Sequence, residues 1–195
     1  SFEGKPVFIT DSGDNVTSGA MGANTVILNQ FLKVDNLNKK VLFAAINDPV
    51  ICHELVGEPI NSKHHISLGL NYDNLSKKIE LDVVITAKGR QEGTNMYGEH
   101  GDYGPIVTVS IEHYPIDIAI TDNNHSFVEE HQIKACGVDW DDYDIIVVKQ
   151  GYIHPELKEK GKLCIMSLTD GATVQDTKLI PFKLIMRPMY PIDNI

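Results

Sequence analysis

Hydrophobic positions along the chain change period several times, and each change predicts a change of element. Residues 6–10 and 41–46 are short apolar runs, and the stretch between them, 21–33, carries a different period. There Ala23, Ile27 and Phe31 recur every four residues, with Val26, Leu28 and Leu32 beside them. That spacing gives a helix a broad apolar face to lay on a sheet, and strand, helix, strand in this order is a βαβ reading. Asp48-Pro49 then offers a cap residue followed by proline at the first helical position, and Gly57 offers a stop. A second helix of about two turns is expected there.

Residues 66–70, 79–87, 106–111 and 116–121 follow as strands with no helical pattern between them, which predicts an antiparallel middle section. Ser126, with Glu129 three residues on, predicts a capping box opening a helix that ends near Gly137. Residues 144–148 form an uninterrupted apolar strand, the pattern of a strand covered on both faces. A short helix around 156–160 and a strand at 163–168 come next, before a tail whose Pro181, Pro188 and Pro191 exclude a long helix. The expected fold class is α/β: a mixed sheet with βαβ units at the start, an antiparallel middle section, and helices packed on the sheet. At 195 residues, positions 1–195 are expected to form a single domain around one main core.

Composition narrows the function classes. Lys and Arg total 17 against 27 Asp and Glu, a formal net charge of -10, which repels a phosphate backbone, so no nucleic-acid partner is expected. No apolar run approaches the roughly 20 residues that span a bilayer, and the opening Ser1-Phe2-Glu3-Gly4-Lys5-Pro6 lacks signal-peptide character. No membrane association is expected, and the expected compartment is the cytoplasm. Cys52, Cys136 and Cys164 are odd in number and far apart, which suggests neither a disulfide framework nor a thiolate zinc site.

The first place for chemistry is the loop Asp11-Ser12-Gly13-Asp14-Asn15, between a strand's carboxyl end and a helix, where open α/β sheets bind ligands. It matches a phosphate loop in position only. It has no G-K-[ST] and no G-x-G-x-x-G, and Asp11 and Asp14 oppose an anion. These residues either hold a cation or polar substrate, or hydrogen-bond their own loop. Lys149, after the apolar strand, emerges at a sheet edge and either binds a carboxylate or pairs with Asp11 or Asp14; His154 lies five residues on. Cys52-His53-Glu54 is no zincin helix, because Gly57 stands four after His53, and His64-His65 face opposite sides of a strand. Glu99-His100-Gly101-Asp102 is the densest set of ligand-type residues and is expected in a turn. No local signature of a nucleophile occurs, so no residue is assigned as catalytic or as a metal ligand.

Taken in order, Asp11-Ser12-Gly13-Asp14-Asn15, then Val147-Val148-Lys149, then Arg187-Pro188-Met189-Tyr190-Pro191-Ile192-Asp193 resembles the carboxy-terminal domain of microcystinase-type (MlrC-like) metallopeptidases. Gly101-Asp102-Tyr103-Gly104-Pro105, Gly137-Val138-Asp139 and Leu168-Thr169-Asp170-Gly171-Ala172-Thr173 agree in order and spacing. The chain departs from the family pattern at Val16, Asn24 and His154-Pro155-Glu156. The resemblance implies a zinc-dependent amide or peptide hydrolase whose zinc ligands belong to a separate amino-terminal domain, with none in this chain. It further implies that Asp11, Asp14, Asn15, Lys149 and His154 face the domain junction, where they position substrate or the other domain. The implied partners are that amino-terminal catalytic domain and a peptide or amide substrate. Two other readings stay open: a self-contained small hydrolase or small-molecule-binding domain built on Asp14, Lys149 and His154, and a homo-oligomerisation module.

Overall fold

The structure, a computed structural model, describes residues 2–94 and 99–195. They gather on one eight-stranded sheet: β1 (Val7–Asp11), β2 (Val41–Asn47), β3 (Lys63–Leu68), β4 (Ile79–Thr94), β5 (His100–Ile111), β6 (Ile116–Thr121), β7 (Ile145–Val148) and β8 (Leu163–Ser167). Their spatial order is β3-β4-β5-β6-β2-β7-β1-β8. The neighbours from β6 through β2, β7 and β1 to β8 are parallel, and β3-β4-β5-β6 are antiparallel. The sheet is therefore mixed, α/β, with the antiparallel part in the middle of the sequence.

Every residue of β2 and of β6 is buried, because helices cover both faces, and side chains alternate between two cores. Val41, Phe43 and Val147 face one core with Ile27 and Leu28 of α1 (Val26–Phe31) and Ile51 and Leu55 of α2 (Pro49–Val56). Leu42, Ala44, Ile146 and Val148 face the other with Ile133 of α3 (Glu130–Ala135) and Leu157 of α4 (Pro155–Lys160). Asp48 caps α2 by accepting the Ile51 N–H at 3.2 Å, and its second oxygen accepts the Gly69 N–H at 2.9 Å.

Three expected boundaries are corrected. Helix α1 starts at Val26 rather than at Met21, because the Asp14 carboxylate accepts the Gly22 and Asn24 N–H groups at 2.9 and 2.8 Å. Gly22 also has φ +69, a left-handed conformation that no helix continues through. Helix α3 is capped by Glu129, not Ser126, and its box partner is Gln132, whose Oε1 accepts the N–H groups of Val128 and Glu129 at 2.7 and 3.0 Å. The β4/β5 ribbon runs well past the hydrophobic stretch, so His100-Gly101-Asp102 lies in a strand rather than a turn. Polar contacts hold that extension: Gln132 Nε2 donates to the Glu92 carbonyl at 3.0 Å, buried Gln91 donates to the His125 carbonyl at 2.6 Å, and Arg90 pairs with Asp102 at 2.6 Å.

Candidate functional site

Parallel strands place their carboxyl ends along one edge, and the sequence loads that edge with polar groups. Thr10 lies opposite Val148 in the β1/β7 register, so Asp11 and Lys149 leave the sheet side by side. Lys149 Nζ lies 2.8 Å from Asp11 Oδ2 and 3.0 Å from Asp14 Oδ2, and donates to the Asn24 carbonyl at 2.5 Å. The ammonium thus makes two hydrogen bonds, to Asp11 and the Asn24 carbonyl, and a close ion pair with Asp14. Lys149 is 6% exposed and Asp11 and Asp14 are 1% each. Burial alone pulls the Lys149 ammonium toward deprotonation, but the charges and hydrogen bonds of Asp11 and Asp14 outweigh it and hold its pKa above the usual lysine value.

A belt of hydrogen bonds ties this cluster to the segment after β8. Thr169 Oγ1 donates to Asp11 Oδ1 and accepts the Gly13 N–H at 2.9 Å. Thr173 Oγ1 accepts the Asn15 N–H at 3.0 Å and donates to the Ser12 carbonyl at 2.8 Å, while Ser12 Oγ donates to the Ser167 carbonyl at 2.7 Å. The fit leaves no room at Gly13, where a Cβ would run into the Thr169 and Asp170 carbonyls. Asn15 caps the 3-10 turn Val16–Ser18: its Oδ1 accepts the Thr17 N–H at 3.1 Å and the Thr17 hydroxyl at 2.6 Å, and its Nδ2 donates to Ser18 Oγ at 2.8 Å.

His154 stands apart. It precedes α4 without a side-chain capping bond, and among the described residues no hydrogen bond or ion pair joins it to Asp11, Asp14 or Lys149. Its ring lines an open cleft of about 420 Å³ further along the same edge, together with Val16, Thr17, Thr94, Tyr103, Asn124, His125, Ser126 and Val128. The His125 and Tyr103 rings stack in this wall, 3.7 Å between centroids and 5° from parallel. Burial pushes the His125 imidazole below its ordinary pKa, against a smaller opposing pull from Glu129, so the ring is neutral at pH 7. Ser126 Oγ and His154 Nδ1 are buried with no hydrogen-bond partner among the described residues. Ser126 consequently has no histidine base, and no nucleophile pair is assembled here.

A zinc ion does not fit the described residues. No group of three or more His, Cys, Asp or Glu among them is placed to hold a metal, and the buried acid pair Asp11 and Asp14 already receives its positive charge from Lys149. His100 stacks on His131 with centroids 6.2 Å apart, and Asp102 is engaged by Arg90. No helix among the described residues is long and apolar enough to cross a membrane.

The arrangement is thus an α/β domain whose carboxyl edge carries a buried polar brace and, beside it, a cleft of ligand size. The chain belongs to the family described as MlrC C-terminus, whose model matches residues 9–184. It is similar in fold to the crystal structure of a protein named "Putative metallopeptidase" from Mesorhizobium sp. BNC1, with a TM-score of 0.76 at 19% sequence identity. That similarity covers 97% of this chain but only 38% of the other. A search among curated protein sequences finds no match.

Proposed function

We propose that the chain is the carboxy-terminal, substrate-positioning domain of a microcystinase-like zinc metallopeptidase, inactive without an amino-terminal domain that bears the metal. Its substrate in that reading is a peptide or amide, and its compartment the cytoplasm, which suits the three unpaired thiols. The family match and the much longer chain of the structural relative support a partner domain. The observation that carries the proposal is the far edge of the sheet. Strand β8 is an edge strand with Leu163, Ile165 and Met166 exposed, and the tail beyond it shows Leu184 at 98% and Met186 at 83% exposure. An unpaired strand edge with a run of exposed apolar side chains is the surface a docked domain covers.

The brace gives Asp11, Asp14, Asn15 and Lys149 a role in this scheme. They lock the loop that carries Val16 and Thr17 into the cleft, and the belt through Thr169 and Thr173 fixes that loop to the docking edge. A self-contained hydrolase is the poorer reading, since Lys149 is held by Asp11, Asp14 and the Asn24 carbonyl and Ser126 lacks a base. The test is hydrogen–deuterium exchange over residues 163–195, in this chain and in the whole polypeptide. Exchange slows strongly in the whole protein if the edge is the junction; equal exchange in both contradicts docking there. Light scattering of the isolated chain, if it showed a dimer abolished by Leu184→Ser with Met186→Ser, would assign the same face to a second copy instead.

A further inference from the structure

We propose that the cleft between Tyr103, His125, Ser126 and His154 is a binding subsite for an uncharged, flat side chain of the substrate and its adjoining amide. The inference rests on the substrate-positioning reading for the identity of the ligand as a peptide, and on geometry for everything else.

Three observations set the chemistry. None of the described residues that line the cleft carries a fixed charge. A charged group entering would lose its water without gaining a counter-ion, which is costly. One wall carries an aromatic stack: the His125 and Tyr103 rings lie face to face, 3.7 Å between centroids, and a further ring extends such a stack by offset stacking. The wall is held from behind, because the His125 carbonyl accepts from buried Gln91 and a Cβ on Gly93 would strike the His125 ring at 2.5 Å. Finally, Ser126 and His154 of the lining each carry a buried polar atom, Oγ and Nδ1, without a hydrogen-bond partner among the described residues. Ser126 itself is 6% exposed. Buried polar atoms are normally satisfied, and an amide supplies both the donor and the acceptor that a hydroxyl and an imidazole nitrogen lack. Shielding from bulk water strengthens each such bond.

Of the lining the sequence singles out only His154 as a site residue, because the rest comes from the end of β4, from β5, from the segment after β6 and from the 3-10 turn Val16–Ser18. The cleft also differs in kind from the Lys149 brace. In the brace Lys149 is held by Asp11, Asp14 and the Asn24 carbonyl, whereas the cleft has unpartnered polar atoms and space.

The test uses the 195-residue chain and three probes: N-acetyl-L-phenylalaninamide, N-acetyl-L-alaninamide and N-acetyl-L-aspartic acid amide. Histidine ring signals are followed by NMR. The expected result is a saturable shift of the His125 and His154 signals with the phenylalanine probe, at least about tenfold weaker for the other two. Ser126→Ala should weaken the phenylalanine probe by about three- to tenfold, the loss of one hydrogen bond. Tyr103→Leu should bring its affinity down to that of the alanine probe. No saturable shift with any probe, or equal binding of the aromatic and acidic probes, overturns the proposal; the wild-type comparison decides it even if a variant fails to fold. The assay needs neither hydrolysis nor a second domain, so failure of docking at β8 leaves it intact, and the reverse also holds.

Discussion

Two neighbouring stretches of one sheet edge use polar residues in opposite ways. At the ends of β1 and β7, Asp11, Asp14 and Lys149 are buried and mutually satisfied, and the loop around them is pinned by Thr169 and Thr173. In the cleft beside them, Ser126 Oγ after β6 and His154 Nδ1 before α4 are also buried, yet neither atom has a partner among the described residues. The first arrangement holds shape and the second holds capacity for a ligand. Burial of a polar group is therefore no guide to its role until its partners have been counted.

The sharpest way to break the contrast is Lys149→Met. It leaves Asp11 and Asp14 buried without their cation, and should cost about 3–5 kcal/mol of unfolding free energy in urea denaturation. Adding Asp11→Asn and Asp14→Asn should recover much of that loss, because the uncompensated charge is the cause. Next in size is Thr173→Val. It removes the acceptor of the Asn15 N–H and the donor to the Ser12 carbonyl, and should cost about 1–3 kcal/mol. Ser126→Ala, by contrast, removes a hydroxyl with no partner and should change stability by no more than about 0.5 kcal/mol in the same titration.

How much of this was legible in the sequence follows from where each signal resides. The apolar runs gave the strands, and the run at 144–148 placed Lys149 at the strand end beside the Asp11 loop, because parallel neighbours share an edge. Hydrophobic spacing makes helix α1 too long, since it cannot show that the Asp14 carboxylate captures the Gly22 and Asn24 N–H groups. The outer β4/β5 ribbon was missed for a related reason. Its stabilising contacts come from Gln91 and Gln132, residue types that carry no strand period. The spacing places Glu129 in a capping box but not at its correct end, because Glu129 and Gln132 offer the same spacing as Ser126 and Glu129. The segment 168–173 resembled the family before its purpose was visible: Thr169 and Thr173 brace the Asp11 loop from more than 150 residues away. Of the cleft only His154 is a candidate from the sequence; the rest has no motif, since five separated segments build it, and the polar run Asn123-Asn124-His125-Ser126 after a strand is its nearest signal.

The smallest expected effect is a pH dependence, and its sign separates two histidines. Burial depresses the folded pKa of His125, so the unfolded chain takes up that proton first. Stability from this ring is complete above its ordinary pKa of about 6.5 and is lost as pH falls from there through the lower folded value. His65 behaves oppositely: its hydrogen bond to Asp82 raises its pKa, so its contribution is present at low pH and fades as pH rises. It is fully exposed and should add little. Melting temperatures between roughly pH 5 and 7 should therefore fall toward the acid side, and His125→Phe, which keeps the stack on Tyr103, should flatten that slope.

The central claim is that this domain positions and docks while the metal belongs elsewhere, and zinc content tests it most directly. The purified 195-residue chain is stripped with chelator, equilibrated with zinc, dialysed and assayed for metal per chain. The account expects far less than one zinc per chain, with Lys149 already supplying the positive charge between Asp11 and Asp14. One tightly held zinc per chain would contradict it and would place a metal centre in this domain, with Glu99, His100, Asp102 and the Asp11 loop the first residues to substitute.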